Sequence, residues 1–168
     1  MSAKPAEPAG EPFLTTTYEK VHAWARRAGV LPVRLGLSCC AVELLPLADA
    51  RHDTARFGVE VFRAQPAERD LLIVAGTISE KMAAVICRFW DQMPEPKWAM
   101  ALGACATCGG PYKTYAVTQG LDRILPVDVY VAGCPPTAEA FLEGLERLRH
   151  KIEQGRGPAA PPAGGGTR

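Results

Sequence analysis

Short apolar runs alternate along the chain with segments whose apolar residues recur at helical spacing. The run at 69–76, RDLLIVAG, is entered by polar residues and ends in glycine, which predicts a buried strand. The apolar runs at 31–37, 97–105 and 127–136 predict three further strands, and each of them leads toward a glycine or a cysteine.

Helical periodicity fills most of the remaining chain. The segment 16–29 has Thr16 and Glu19 at capping-box spacing, and Gly29 is a plausible end. The segments 79–93 and 137–154 carry apolar residues on one helical face. Residues 41–63 are mixed, with a short helix predicted to break near Pro46 and a helical or irregular segment after it.

The alternation of strands and helices predicts an α/β fold, a parallel sheet with helices packed on its faces. Ligands of such sheets gather in the crevice beyond the carboxyl ends of the strands. We therefore expect any site of this protein at that edge.

Length and composition fit one globular domain. The chain has 168 residues, of which 48% are hydrophobic and 22% charged. The domain is predicted to span 16–152, after a disordered N-terminus at 1–15 and before a flexible tail at 153–168 rich in Gly, Pro and Ala.

The charge balance excludes some classes of partner. Nineteen Lys and Arg against eighteen Asp and Glu give a net charge of +1, which argues against nucleic-acid binding. No apolar run approaches the roughly 18 residues of a transmembrane helix, and no signal peptide is evident. We therefore expect a cytoplasmic protein that reaches a membrane only through partners.

Six cysteines are the most informative feature, because in a cytoplasmic chain they indicate metal or redox chemistry before disulfides. Cys39 and Cys40 are adjacent and follow the strand at 31–37. Cys105 and Cys134 follow glycines at the ends of two other strands, in GAC and GCPP. These four thiols are expected at one edge of the sheet.

A four-iron cluster suits this set better than zinc. Zinc draws its sulfurs to within about 3.8 Å of one another for Zn–S bonds of ~2.3 Å, whereas adjacent side chains diverge. A cubane cluster presents separate corners that two neighbours can reach. The proline after Cys134 also matches the end of the bacterial ferredoxin ligand run.

The other reactive residues are weaker candidates for a functional site than these four cysteines. Cys87 lies within a predicted helix and is interpreted as a buried apolar residue. Cys105 and Cys108 have thioredoxin-like spacing, but that motif belongs at the start of a helix, and Gly-Gly-Pro follows Cys108. Glu43 is interpreted as structural. The histidines have no metal-ligand spacing, and no nucleotide-binding glycine motif is present.

Five stretches closely resemble the B subunits of NADH–quinone oxidoreductase, respiratory complex I. They are GLSCCAVELL, ARFGVEVFRA, DLLIVAGTISEKM, QMPEPKWAMALGAC and PVDVYVAGCPPTAEA, within a resemblance that covers about 16–152. The family often has ASSGG after the third cysteine, where this chain has Ala-Thr-Cys-Gly-Gly and thus Cys108.

The resemblance implies a flavodoxin-like fold with one [4Fe–4S] cluster held by Cys39, Cys40, Cys105 and Cys134. It implies a subunit, catalytically incomplete alone, that passes single electrons to a quinone such as ubiquinone in a proton-pumping enzyme supplied by NADH. The quinone would lie between this chain, at 41–47 and 56–63, and a hydrogenase-like large subunit. The other implied partners are peripheral-arm iron–sulfur subunits and membrane-arm subunits, at the cytoplasmic face of the cell inner membrane.

Two alternatives remain open. The chain can be the equivalent cluster subunit of a hydrogenase-type or ferredoxin-fed membrane complex, in which the electron donor differs. A structural zinc scaffold is a more distant alternative, and iron and sulfide content would distinguish it from a cluster protein.

Overall fold

The computed structural model describes residues 29–59 and 69–154, together with positions 18, 21, 24 and 25 of the N-terminal segment. Four parallel strands form one sheet in the order β1-β2-β3-β4. Their bounds are β1 Pro32–Gly36, β2 Leu71–Ala75, β3 Trp98–Leu102 and β4 Val129–Val131. The α/β architecture predicted from the sequence is confirmed.

Four helices follow the strands within the described ranges. They are α1 Cys39–Val42, α2 Glu80–Gln92, α3 Ala104–Cys108 and α4 Ala138–Glu153. Short 3-10 turns cover Pro46–Ala48, Thr54–Phe57 and Leu121–Arg123. The side chains of Ser79 and Thr137 cap α2 and α4, accepting hydrogen bonds from Met82 N and Ala140 N at 3.3 Å each.

Helices cover both faces of the sheet, as a flavodoxin-like fold requires. On one face, α4 packs through Phe141 and Leu145 against alternate strand residues such as Ile73 and Met100. On the other face, α2 packs through Ile86 against Leu72. Because β2 and β3 are buried on both faces, their sequences read as continuous apolar runs.

The register aligns all four carboxyl ends. Gly36 pairs with Ala75, Ala75 with Leu102, and Leu102 with Val131. Segments that leave these strands therefore emerge side by side at one edge of the sheet, which we call the carboxyl edge.

Two strands are shorter than predicted. The sequence predicts an extended segment from 97 to 105, but β3 ends at Leu102. Gly103, with φ of 88°, turns the chain directly into α3, and Thr107 N donates to Gly103 O at 3.0 Å. Val129–Val131 is likewise the extended core of the segment predicted at 127–136.

Parts of the sequence prediction fall outside the described residues. The expected disorder at 1–15, the tail from 155 and the segment 60–68 belong there. Tyr18, Val21, Trp24 and Ala25 are helical, in agreement with the helix predicted there. Across the described residues, none of the helices combines the length and the apolar character that crossing a bilayer takes.

Candidate functional site

The tandem cysteines are placed by the turn that follows β1. Leu37 N continues the ladder to Ala75 O at 2.9 Å, and Cys39 and Cys40 then begin α1. Ser38 Oγ accepts a hydrogen bond from Thr77 N at 2.9 Å. The end of β2 thus fixes the turn that presents the pair.

Gly76 makes this arrangement possible. Its φ is 105°, and a Cβ there would lie 2.2 Å from Ser38 Oγ and 2.8 Å from Ser38 N. Only glycine therefore lets the end of β2 approach the cysteine turn. The sequence does not single out Ser38 or Gly76 as part of the site, and the glycine at the end of the strand run is the one signal that it offers.

The third cysteine is placed by hydrogen bonds between strand ends. Gly103 N donates to Val131 O at 2.9 Å, and Ala104 N donates to Gly133 O at 2.8 Å. These bonds join the exits of β3 and β4, so that Cys105 on α3 is held beside the loop that carries Cys134. Cys105 is buried, whereas Cys134 is exposed.

The four predicted cysteines lie at one edge, and the other three contribute to the raised pKa of Cys40. The pKa of Cys40 is raised to about 11, first by burial, then by the charge and hydrogen bond of Cys39, and further by the charges of Cys105 and Cys134. Such Coulombic effects require proximity. The structure thus brings together the cysteines that the sequence selected.

Glycines leave room around two of the thiols. A Cβ on Gly103 would lie 2.6 Å from Cys40 Sγ, and a Cβ on Gly110 would lie 3.0 Å from Cys105 Sγ. Both glycines have positive φ, 88° and 57°. The backbone therefore approaches these sulfurs more closely than it could if either position carried a side chain.

The described residues contain no group of three or more His, Cys, Asp or Glu side chains arranged to hold a single metal ion. The donor set is made of four thiols, the usual ligands of iron–sulfur clusters. Soft thiolates at separate positions fit a multi-iron cluster, and they are tied to rigid strand ends.

A small cavity of about 190 Å³ lies beside the tandem cysteines, lined by Arg34, Gly36, Ala41, Leu44 and Leu45. Arg34 Nη1 donates to Leu44 O at 3.1 Å, and burial lowers the pKa of the Arg34 guanidinium. This cavity borders the first segment that the family resemblance associates with quinone. Of the second, 56–63, the structure describes residues 56–59.

Several large apolar side chains are exposed to solvent in the segments that follow the cysteines of α1 and α3. They are Val42, Leu45, Tyr112 and Tyr115, the last being 98% exposed. Exposed apolar side chains of this size are typical of a surface that another protein covers when they lie side by side.

The remaining candidates lie away from the four thiols or have structural partners. Cys87 is half-buried on α2, and burial, followed by the charge of Asp91, raises its pKa. His52 Nε2 lies 3.2 Å from Glu139 Oε1. Cys108 is exposed at the end of α3, and its thiol donates to Ala104 O at 3.3 Å.

Comparison with known proteins gives consistent matches. The profile of the family described as NADH ubiquinone oxidoreductase, 20 Kd subunit, matches residues 38–148. The B 1 subunit of the NADH-quinone oxidoreductase of Solibacter usitatus is 52% identical over 141 residues, which are 84% of this chain and 75% of that protein. NADH-quinone oxidoreductase subunit 6 of Thermus thermophilus is 49% identical over 156 residues, 90% of this chain and 86% of that protein.

Two solved structures share the fold. A chain of the membrane-bound sulfane sulfur reductase, an archaeal respiratory membrane complex, superposes with a TM-score of 0.78 at 35% identity, covering 82% of this chain and 78% of that one. A chain of the [NiFeSe]-hydrogenase of Dm. baculatum superposes with a TM-score of 0.52 at 18% identity, covering 74% and 63%. The second similarity shows the fold alone.

Proposed function

Because this chain belongs to the family of the 20 kDa subunit of NADH–ubiquinone oxidoreductase, we propose that it carries the [4Fe–4S] cluster that reduces quinone in such a complex. The observation that carries the proposal is the meeting of four thiols at the aligned carboxyl ends of β1, β3 and β4. Cys39, Cys40, Cys105 and Cys134 are the proposed ligands.

The chain's own groups have defined roles in this proposal. The thiolates of the four cysteines would bind the irons of the cluster, and the ends of the strands would keep these thiolates in place without rearrangement. The backbone at Gly103 and Gly110 lies close to the sulfurs of Cys40 and Cys105, so that no side chain at these two positions would stand between those sulfurs and a cluster. When bound, the cluster supplies one-electron transfer between another iron–sulfur subunit and quinone.

We place the quinone and the large partner at the exposed side of the carboxyl edge. The cavity beside Arg34 and the exposed apolar residues Val42 and Leu45 support this position. A partner on this surface would exclude water from Cys39 and Cys134, which are exposed in the isolated chain. We further propose that other peripheral-arm and membrane-arm subunits hold the assembly at the cytoplasmic face of the cell membrane, where it supports proton pumping.

A second candidate is the same electron-transfer role in a complex with another donor or acceptor. The similarity to a chain of the sulfane sulfur reductase complex, at 35% identity, supports this second candidate. The two candidates share the four thiols and differ in partners. NADH oxidation by the assembled complex, measured with quinone as acceptor, distinguishes them.

The first test is the metal content of anaerobically purified chain, co-expressed with its large partner subunit. We expect about four irons and four sulfides per chain and a reducible cluster signal in low-temperature electron paramagnetic resonance spectra. Zinc without sulfide would overturn the proposal.

Ligand substitution makes the test specific to residues. Cys39→Ser is expected to lose most of the iron and the cluster signal, because serine does not replace a thiolate in a soft-ligand site. Cys108→Ser is expected to retain both, since Cys108 is at the far end of α3 and its thiol donates to Ala104 O of the same helix. The reverse result would support a dithiol enzyme instead.

A further inference from the structure

Two cysteines lie three residues apart on the same short helix. Cys105 is in the first turn of α3 and is buried, whereas Cys108 ends the helix and is exposed. The sequence argues against a thioredoxin-like pair here, because such a motif belongs at the start of a helix. The structure removes this objection, since α3 begins at Ala104, one residue before the motif.

The helix brings these two residues within disulfide range. Residues three apart on an α-helix have Cα atoms about 5 Å apart, and disulfides form at Cα separations of about 4.4–6.8 Å. The thiol of Cys108 is turned back toward the first turn, where it donates to Ala104 O at 3.3 Å. Gly109 and Gly110 follow with positive φ, so the chain leaves the helix at once.

The pair also differs from the other thiols in the length of the loop that a disulfide would close. Cys105 and Cys108 enclose two residues, whereas Cys105 is far in sequence from Cys40 and Cys134. Short loops cost less entropy to close than long ones. Cys39 and Cys40 are adjacent, and a bond between them would demand a distorted or cis peptide at about 2.5–4 kcal/mol if cis.

We propose that in the chain without a cluster, Cys105 and Cys108 form a reversible disulfide that withholds one ligand thiol until a dithiol reduces it. The disulfide follows from the geometry of α3 alone. Its effect on cluster insertion rests on the proposed function, in which Cys105 is a ligand.

The chemistry is thiol–disulfide exchange with a small disulfide such as oxidised glutathione. The exposed Cys108 thiolate attacks one sulfur of the small disulfide and releases one reduced small thiol, leaving a mixed disulfide on Cys108. Cys105 then attacks Cys108 Sγ and releases the second small thiol. The protein loses two electrons, the small disulfide gains them, and the two thiol protons pass to the released thiolates.

The test uses the full-length chain, purified without iron and reduced, then exposed to oxidised glutathione. Thiol alkylation and peptide mass spectrometry are expected to show that two of its six thiols are lost and that one peptide carries a Cys105–Cys108 bond. Cys108→Ser is expected to form no such bond. Cys87→Ser, which changes a half-buried cysteine on α2, is the matched control and is expected to behave like the unchanged chain.

The second arm follows iron and sulfide incorporation after oxidation, with and without a dithiol pulse that is removed beforehand. We expect the oxidised unchanged chain to incorporate at least fivefold less iron than the pulsed chain, and Cys108→Ser to load equally in both conditions. Absence of the Cys105–Cys108 peptide would overturn this inference, and so would equal iron incorporation by the oxidised and the pulsed unchanged chain when the pulsed chain does acquire a cluster. If no variant acquires a cluster while the disulfide forms, the proposed function fails and the disulfide stands.

Discussion

At position 103 a glycine separates the end of β3 from the thiol of Cys40. An added Cβ would lie 2.6 Å from Cys40 Sγ, closer than such contacts allow. The residue also has φ of 88° and ψ of 162°, a region occupied almost only by glycine, where a side chain costs roughly 1–3 kcal/mol. A single methyl group at this position would therefore strain the backbone and displace the thiol of Cys40, a proposed ligand.

Gly103→Ala is expected to reduce bound iron severalfold and to destabilise the fold by roughly 1–3 kcal/mol, because the backbone conformation at this position is strained for any residue with a Cβ. Iron content and urea unfolding measure the two effects. Gly29→Ala is the matched control, because a Cβ there meets nothing within 4 Å. Equal iron content in both variants would show that Cys40 is not a ligand held at this position.

Ser38 acts on the same pair of cysteines from the other side. Its hydroxyl accepts the Thr77 N hydrogen bond, and it lies directly before the tandem cysteines. Ser38→Ala is expected to lower the free energy of unfolding by about 0.5–1.5 kcal/mol, the usual net value of one such bond. Chemical denaturation of the full chain measures this free energy, and Gly29→Ala is again the unaffected reference. A decrease in the free energy of unfolding smaller than the error of the fit would show that other contacts hold the turn.

At the scale of elements, α4 is tied to the loop that contains His52. Glu139 in its first turn lies 3.2 Å from His52 Nε2. The pKa of Glu139 is lowered, first by the hydrogen bond from its own backbone N–H and then by the hydrogen bonds of His52 and Thr137. The carboxylate thus favours the folded state while it is ionised.

Glu139→Gln is therefore expected to destabilise the protein near neutral pH and to lose this effect in acid. A carboxylate with a lowered folded-state pKa contributes stability above its ordinary pKa, and the contribution disappears as the pH falls through the folded value. Melting temperatures of the two chains, measured from pH 7 to pH 3, should converge at the acid end. A constant difference across that range would show that charge is not the cause.

The short helix α3 also shows how element boundaries affect the chemistry. An apolar run that continues to Cys105 reads as strand from its composition, because the helix after it has only five residues. Hydrogen bonds from Gly103 N and Ala104 N to the exit of β4 decide where the strand ends. These bonds join residues far apart in sequence, so the local pattern does not reveal them.

At the scale of the molecule, several exposed apolar residues lie in the chain segments that follow the thiols of α1 and α3. Tyr115 is the most exposed of them, at 98%. A fully exposed aromatic side chain of this kind is a frequent anchor in protein interfaces. The carboxyl edge is thus both the proposed cluster site and the proposed docking surface for the large subunit.

Tyr115→Ala is expected to weaken the binding of the large partner about tenfold, a change of 1.4 kcal/mol, without altering the stability of the isolated chain. Co-purification yield and binding by calorimetry measure the first, and thermal unfolding measures the second. Tyr130→Ala, on the edge strand β4, is the control at a half-exposed tyrosine. Equal weakening by both substitutions would place the interface elsewhere or spread it over both surfaces.

The sequence by itself determined the fold class and selected four cysteines as the proposed ligands. The two fully buried strands, β2 and β3, are visible in the sequence as continuous apolar runs. The amphipathic helices α2 and α4 are visible as a helical period of apolar residues with a capping residue at the start. Both signals are local, because burial and capping act on neighbours along the chain. Cys105 and Cys134 could be selected since each follows the end of a strand, and parallel strands end at one edge.

Only the tertiary structure decided how those cysteines are held. The register that aligns Gly36, Ala75, Leu102 and Val131, the contact of Gly76 with Ser38 and the start of α3 at Ala104 all depend on pairing between segments distant in sequence. The only sign of such pairing in the sequence is an isolated glycine. The pairing itself is stabilised by backbone contacts between distant segments, and local propensity does not encode them.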